Sequence, residues 1–571
     1  MLQQEKRIWP RIKLRGNDWL KRCGIIYTQI LGDLLMKVDD GEGGYPKGFM
    51  HTSTTPFTEP NYYNDMWSRD VGRGIMELVR NGFLQEAHSV SDFILQTGMN
   101  FGNHYGRLIE RVWGAYEVDG NVNLLLAFYM LWKYDGCPRD EGKRFLNQLF
   151  PVFEWFSTLI EESPYDGLLK SKSELSGNPE ADYFIYAVFA TYGAAVACQA
   201  FSELAQKAGN EEKFRFIQTI QFRLEEGLRK NLISRGPEGN QNTKTKKGVW
   251  LNGIDSRTGQ AAEEGDLGPK FDIHRWTRQL PFILKYDVKQ VIFREDKSPF
   301  DSVNQATYLY LKEGMIQGYY FRRYGFVSNT CFGGMGGRHD DTMAGYGQNY
   351  FTQAALLNDD VNCYTKCLEG ISRLAYDGDV VAPLTPDLNP WVMHECFCYS
   401  NYEKGLDHTF GVEGCEEKQI MHNPGDEGNL VQSAETLKTF AIVAGITARG
   451  AALSVMPRLP WECSEAVVKD FPVPSPKGLQ RISYHFVLDR EENRFILKIT
   501  GVKDFKTVNV RIGPLPNVLF AEKEIQKNWT LTRRFDAVFA EQTFSVKSDE
   551  ITAQLLSLIH ISEPTRLDVI S

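Results

Sequence analysis

The chain lacks a hydrophobic run long enough to cross a membrane: none of its apolar stretches approaches the roughly 18 residues that a bilayer-spanning helix needs. Its first residues, MLQQEKRIWPRIKLRG, have no apolar core of the kind a secretory leader carries, so the expected location is the cytoplasm. Excess positive charge is also missing. Lys and Arg number 64 against 73 Asp and Glu, a formal net charge of −9, which excludes the basic footprint of a nucleic-acid binder. The ten cysteines form no Cys-x-x-Cys pair and no four-ligand zinc spacing, although Cys363 and Cys367 share a helix face and Cys396 and Cys398 are close in sequence. Reduced, mostly buried thiols and no bound metal are expected. What the chain does have is length and aromatic surface. Its 571 residues suffice for a large core and two domains, and 12% aromatics suit either sugar stacking or a large helical core.

Twelve stretches with helical apolar periodicity, at 17–37, 68–81, 84–98, 119–135, 140–162, 182–208, 210–232, 276–287, 300–316, 342–357, 359–374 and 429–446, are joined alternately by short and long links. The short links Gly82-Phe83, Gly209 and Asn358 make their flanking helices antiparallel neighbours. The long loops, 38–67, 99–118, 163–181, 233–275, 317–341 and 375–428, then emerge at one end, where function is expected. The helix entered from a long loop is also the more apolar of its pair. Residues 183–201 are apolar nearly all round, with Gly193 and several alanines permitting close packing, whereas 210–232 confines its apolar surface to Phe214, Ile217, Ile220, Leu224 and Leu228. Inner helices ringed by outer ones predict an (α/α)6 toroid over residues 17–450, preceded by an extension at 1–16 and holding its pocket where the inner helices begin.

Beyond Gly445 the period changes to alternation. Segments 465–471, 479–488, 493–500 and 505–512 read as strands, so 451–550 is expected to be a small antiparallel β-sandwich packed on the barrel. The stretch LSLIHISEPTR from Leu556 reads as a translated sequencing adaptor, and residues 556–571 are set aside from the fold.

The loops carry the chemistry. NYYNDMWSRDVGRG places Trp67, Arg69 and Asp70 at the start of an inner helix, offering a flat apolar ring and charged groups of the kind that hold a sugar. The same residues serve equally as a cap, a dipole partner and a local ion pair. The fifth loop, CFGGMGGRHDDTMAGYGQNYF, offers Arg338, His339 and Asp340 after glycines that admit a ligand close to the backbone, or else a tight turn and a helix cap. Trp250 in the fourth loop and His394 in the last add further contacts, with His274, Arg275 and Arg278 as a basic edge that serves equally as salt-bridged structure.

The WSRD segment, the DGNVNLLLAFYMLW stretch and the hairpin pattern resemble the six-hairpin, glucoamylase-like glycoside hydrolases over residues 17–446. That resemblance implies that Trp67, Arg69 and Asp70 bind the terminal sugar and that a Glu in the third loop is the general acid. Glu174, followed closely by Gly177 in YDGLLKSKSELSGNPEADYF, stands in a similar place, with Glu180 and Asp182 as alternatives. The partner base is expected in the last long loop, at Glu413 by its offset from the final helix or at Glu395 by its company of Trp391, His394 and Tyr399. The GLEQ-like or PEQ-like signature that usually marks this base is absent. An exo-acting, inverting hydrolase of oligosaccharides needs no cofactor, since both steps are proton transfers between carboxyl groups. The Arg and His content of the fourth and fifth loops suggests a terminal uronic acid. Seven of the ten histidines, His51, His104, His274, His339, His394, His408 and His422, fall on the loop face, a pattern that also suits an epimerase or a polysaccharide lyase on a similar toroid. A carbohydrate-binding scaffold without turnover is the remaining alternative.

Overall fold

The computed structural model describes residues 7–556 except 43, 53–65, 98–117, 173–183, 235–247, 252, 257, 260, 262–299, 317–318, 328–341, 376–392, 394–395, 401–419, 423–427, 490–493 and 516–528. The helices are α1 (Asp18–Met36), α2 (Ser68–Arg80), α3 (Leu84–Thr97), α4 (Val118–Tyr134), α5 (Arg139–Glu161), α6 (Val188–Ala208), α7 (Glu211–Asn231), α8 (Asp301–Met315), α9 (Tyr319–Tyr324), α10 (Gly345–Leu357), α11 (Val361–Leu374) and α12 (Leu430–Ala444). None of them is long and apolar enough to cross a membrane. The expected helix at 276–287 lies outside the described residues.

Local chemistry sets the helix ends. Asn17 caps α1 by accepting from the Leu20 N–H, and Gly209 ends α6 with a φ of 77° before Asn210 caps α7 by accepting from the Lys213 N–H. A two-residue link of this kind turns the chain straight back, and α6 and α7 pack against each other along their length. Burial separates the two classes of helix. α4 and α12 are buried almost all round, whereas α7 buries only Ile217, Ile220, Leu224, Gly227 and Leu228. Among the described residues the buried helices lie side by side in the order α10, α12, α2, α4, α6, with α1, α3, α5, α7 and α11 packed outside them. Close approach requires small residues. A Cβ on Gly72 of α2 would stand 2.6 Å from the Asn123 carbonyl carbon of α4.

The β-domain is built of two five-stranded sheets. One has the order β1 (Arg11–Arg15), β10 (Glu465–Ser475), β11 (Gly478–Asp489), β12 (Arg494–Thr500), β16 (Glu550–Leu556). The other has the order β14 (Thr530–Arg534), β15 (Ala537–Ser545), β13 (Thr507–Leu515), β9 (Ala452–Val455), β8 (Ile446–Arg449). These sheets draw on residues outside the expected 451–550 segment, from Ile446 in β8 to Leu556 in β16. Arg11–Arg15, within the expected N-terminal extension, pairs antiparallel with Glu465–Lys469, burying Ile12 and Leu14 while its basic residues stay exposed. The β9–β13 pairing is parallel, because the chain leaves β9 through β10, β11 and β12 before returning to it.

The β-domain is bound to the helices through the α10–α11 link. Buried Asp359 accepts from both terminal nitrogens of Arg511 at 2.8 and 2.7 Å, with Arg458 at 3.4 Å. Asp536 accepts the N–H groups of Val361 and Asn362 at the start of α11, and the Tyr364 hydroxyl donates to the Leu459 carbonyl at 2.8 Å. Burial works against the Asp359 charge, but Arg511 and Arg458 outweigh it and hold the carboxyl below the usual aspartate range.

Candidate active site

Two small three-stranded sheets stand where buried helices begin. β2 (Lys170–Lys172), β3 (Phe184–Ala187) and β4 (Gly253–Asp255) form one, and β3 runs directly into α6. β5 (Thr342–Ala344), β6 (Cys396–Ser400) and β7 (Ile420–His422) form the other, and β5 runs directly into α10. The third and fourth long loops, and likewise the fifth and sixth, are therefore tied together by backbone pairing at the starts of inner helices. In the second sheet Ala344 is the register partner of Cys396. Strand pairing between loops this far apart leaves little trace in sequence, because each strand is only three to five residues long.

In the row of buried helices α2 stands between α10 and α6, the helices that these sheets lead into. Trp67 is the N-cap residue, 8% exposed, and its indole N–H has no acceptor among the described residues. Asp70 is buried in the first turn, where the helix dipole favours its charge. Arg69 places one guanidinium nitrogen 3.8 Å from Asp70 and another 4.0 Å from Asp119 at the start of α4. Asn123 of α4 donates to the Arg69 carbonyl at 3.2 Å, fixing the two helix starts against each other. The expected trio is thus brought together, and Asp119 joins it. A buried indole N–H is costly to leave without an acceptor.

Below the corner a column of polar side chains fills the space between α2, α10 and α12. The Arg73 guanidinium donates to Glu435 at 2.8 Å and bonds the Tyr350 hydroxyl, and Gln353 donates to the other Glu435 oxygen at 2.8 Å. Lys438 lies 3.4 Å from Glu435, and Arg80 donates to Glu77 at 3.1 Å. Burial opposes the Glu435 charge, but Lys438 and Arg73 hold its carboxyl below the usual range. For Glu77 the balance is reversed: burial pushes it up to about 7 against the pull of Arg80 and Lys438. The sequence reading missed this column, whose signal is charge at three- and four-residue spacing on otherwise apolar helices, Arg73, Glu77 and Arg80 in one and Glu435 and Lys438 in the other.

Trp250 is fully engaged within the core. Its indole N–H donates to Asn304 at 2.7 Å, and its ring packs on Tyr192 and Phe300 at centroid distances of 5.7 and 5.1 Å. His51, half-buried, lies 3.6 Å from Asp39 and packs edge-on to Tyr45 and Phe49, so it braces its own loop. Glu174, Glu395, Glu413, Arg338, His339, Asp340 and His394 lie outside the described residues.

No protein-family model matches the sequence, and no curated protein matches it. Solved structures do. The α-L-rhamnosidase of Dictyoglumus thermophilum superposes with a TM-score of 0.51 at 10% identity, over 97% of this chain and 51% of that one. A family 78 rhamnosidase of Bacillus sp. GL1 gives 0.51 at 14% identity, over 89% and 43%. The glucoamylase of Saccharomycopsis fibuligera gives 0.50 at 11% identity, over 75% of this chain and 96% of that one. The chain thus spans about half the length of the rhamnosidases it matches. The fold of the chain is that of these two rhamnosidases and of this glucoamylase.

Proposed function

We propose that the chain is an exo-acting, inverting glycoside hydrolase on an (α/α)6 toroid, removing the terminal sugar of an oligosaccharide. The observation that carries this reading is the corner at the start of α2, where a buried indole N–H with no acceptor among the described residues stands beside Arg69, Asp70 and Asp119. A pyranose meets such a corner with a face for the indole ring and hydroxyls for the charged groups. Exo action would follow if the polar column of Arg73, Tyr350, Glu435 and Gln353, bonded between α2, α10 and α12, closes the floor beneath a sugar at the corner.

In this mechanism Glu174 protonates the glycosidic oxygen as its bond to the anomeric carbon breaks. A carboxylate on the opposite face takes a proton from water, whose oxygen bonds to that carbon with inversion. Glu395 is favoured over Glu413 as this base, because it adjoins Cys396, the register partner of Ala344 just before α10. Glu413 belongs to the 401–419 stretch between β6 and β7. Arg338, His339, Asp340 and His394 would complete the sugar site, and a terminal uronate would answer to Arg338 and His339. Anomer-resolved product analysis of wild type and of the Glu174→Gln, Glu395→Gln and Glu413→Gln variants tests the assignment. The acid variant and one base variant should each lose two to four orders of magnitude in kcat, as is typical of roughly 10²- to 10⁴-fold general acid–base catalysis. Undiminished activity in Glu174→Gln would overturn it.

A further inference from the structure

The proposed hydrolysis leaves the basic segment near the start of the chain without a role. In β1 the side chains alternate: Ile12 and Leu14 are buried, and Arg11, Lys13 and Arg15 stand exposed on the opposite face, successive ones roughly 7 Å apart. α1 packs directly beside this strand, so closely that a Cβ on Gly24 would come within 2.7 Å of the Ile12 carbonyl oxygen. Strand and helix together bound a surface groove of about 600 Å³. Half-buried Trp9 and exposed Ile25 give it apolar walls, and Arg11, Lys13, Arg15 and Lys21 give it charged ones. Among the described residues no acidic side chain lines it, in a chain whose net charge is −9. Arg15 pairs with Glu465 at 2.8 Å and Lys21 with Asp18 at 3.0 Å, whereas Arg11 and Lys13 have no ion pair among the described residues. The groove lies away from the loop face. The segment after α1 returns to the start of α12, where the Leu430 N–H donates to the Thr52 carbonyl, and Lys21 stands roughly 22 Å back along the helix from Met36.

We propose that this groove is a second saccharide site, which holds a distal stretch of a polyuronate chain whose end is cleaved at the loop face; the proposal rests on the reading of the substrate as an oligosaccharide ending in a uronic acid. Each wall answers one property of such a chain. Its carboxylates meet Arg11 and Lys13, which no protein carboxylate occupies, and the apolar faces of its sugar rings lie against Trp9 and Ile25. The other anionic partners fit less well. A flat lipid surface does not enter a concave groove. An acidic peptide adding as a strand to the β1 edge is blocked where Gly24 of α1 lies on the Ile12 carbonyl. Single-stranded nucleic acid stacks successive bases on several aromatic rings, and Trp9 is the single aromatic residue among those described that line the groove. A chain held here keeps its end at high effective concentration near the corner, which raises apparent affinity for long substrates without any new contact at the reacting bond.

The test is calorimetric titration of a long oligogalacturonate into the full-length Glu174→Gln protein, with and without the added pair Arg11→Ala and Lys13→Ala. Saturable binding that weakens with salt is expected, and it should fall roughly tenfold or more in the groove variant. Both side chains are exposed, so the far-UV spectrum and Tm should stay as they are. A neutral maltooligosaccharide of equal length should not bind. In the otherwise wild-type enzyme the same pair should raise KM for the long uronate and leave turnover of a disaccharide unchanged. Absence of saturable uronate binding overturns the proposal, as does binding undiminished in the groove variant. Tighter binding of oligodeoxythymidylate or polyglutamate, lost in that variant, would assign the groove to another polyanion and overturn it too. Binding is read without turnover, so the two readings fail separately: groove binding by a protein that releases no sugar refutes the hydrolase alone, and sugar release without groove binding refutes the groove alone.

Discussion

Replacing Asp359 by Asn removes one charge from the joint between the helices and the β-domain while keeping the side chain's shape. Asn also tolerates the left-handed backbone at this position, where φ is 58°. The structure fixes what is lost. Arg511 is 5% exposed, donates two charge-assisted hydrogen bonds to Asp359 at 2.8 and 2.7 Å, and stacks over Phe539 at 4.5 Å. Without the carboxylate its guanidinium stays buried with no counter-charge at that contact. Breaking a buried pair from one side costs about 3–5 kcal/mol, and an Asn oxygen that still accepts one bond points to the lower end, about 3 kcal/mol. Urea unfolding followed by circular dichroism measures the loss. Adding Arg511→Met to the Asn variant should recover part of it, because the stranded charge is then gone. Arg511 and Arg458 hold the folded carboxyl below its ordinary value, so the stability it contributes is present above the usual aspartate range and is lost as pH falls through the folded value. The gap between wild type and variant should therefore narrow in acid. A loss under about 1 kcal/mol at neutral pH, the range of an exposed ion pair, would refute the account of the joint.

Further expectations concern the corner and the column. Trp67→Phe keeps an aromatic ring but deletes the indole N–H, and kcat/KM should fall at least about tenfold, the worth of one hydrogen bond to a ligand; an unchanged kcat/KM would show that no substrate group uses that donor. Asp70→Asn should lower kcat/KM roughly 10- to 100-fold, as expected for a charged hydrogen bond, and a change below about twofold would remove Asp70 from the sugar site. Because burial raises Glu77 from 4.5 to about 7, its folded form binds a proton more tightly than the unfolded chain. Stability should then decline as pH rises from the ordinary carboxylate range through about 7, by about 3 kcal/mol from this group. Glu77→Gln should flatten that part of the profile, and an identical slope in the variant would refute the assignment.

Much of the helical architecture was legible because apolar period and caps act locally. The ends expected at 17–37, 210–232 and 359–374 fall within a few residues of α1, α7 and α11, each of which starts at an Asn or Asp cap. Arg11–Arg15 was not legible as a strand. Only Ile12 and Leu14 alternate within a basic segment, and its partner lies some 450 residues away in sequence. The column was hidden for a different reason. Arg73 and Glu435 are charges that pair across two helices, and sequence periodicity assigns such residues to a solvent face. At the site, the trio at the start of α2 was readable from WSRD, but the pairing of β5 with β6 that links two long loops was not. Trp250 illustrates the converse: an aromatic in a long loop reads as a sugar platform, yet its N–H and both ring contacts are satisfied within the core.

Hydrolysis by a two-carboxylate site is open to assay as sugar release from neutral and uronic oligosaccharides with α and β linkages, with wild type and Glu174→Gln side by side. Wild type should release a single terminal sugar, at a rate reduced roughly 10²- to 10⁴-fold in the variant. Equal release by both proteins, or turnover that epimerises or eliminates without consuming water, would contradict it.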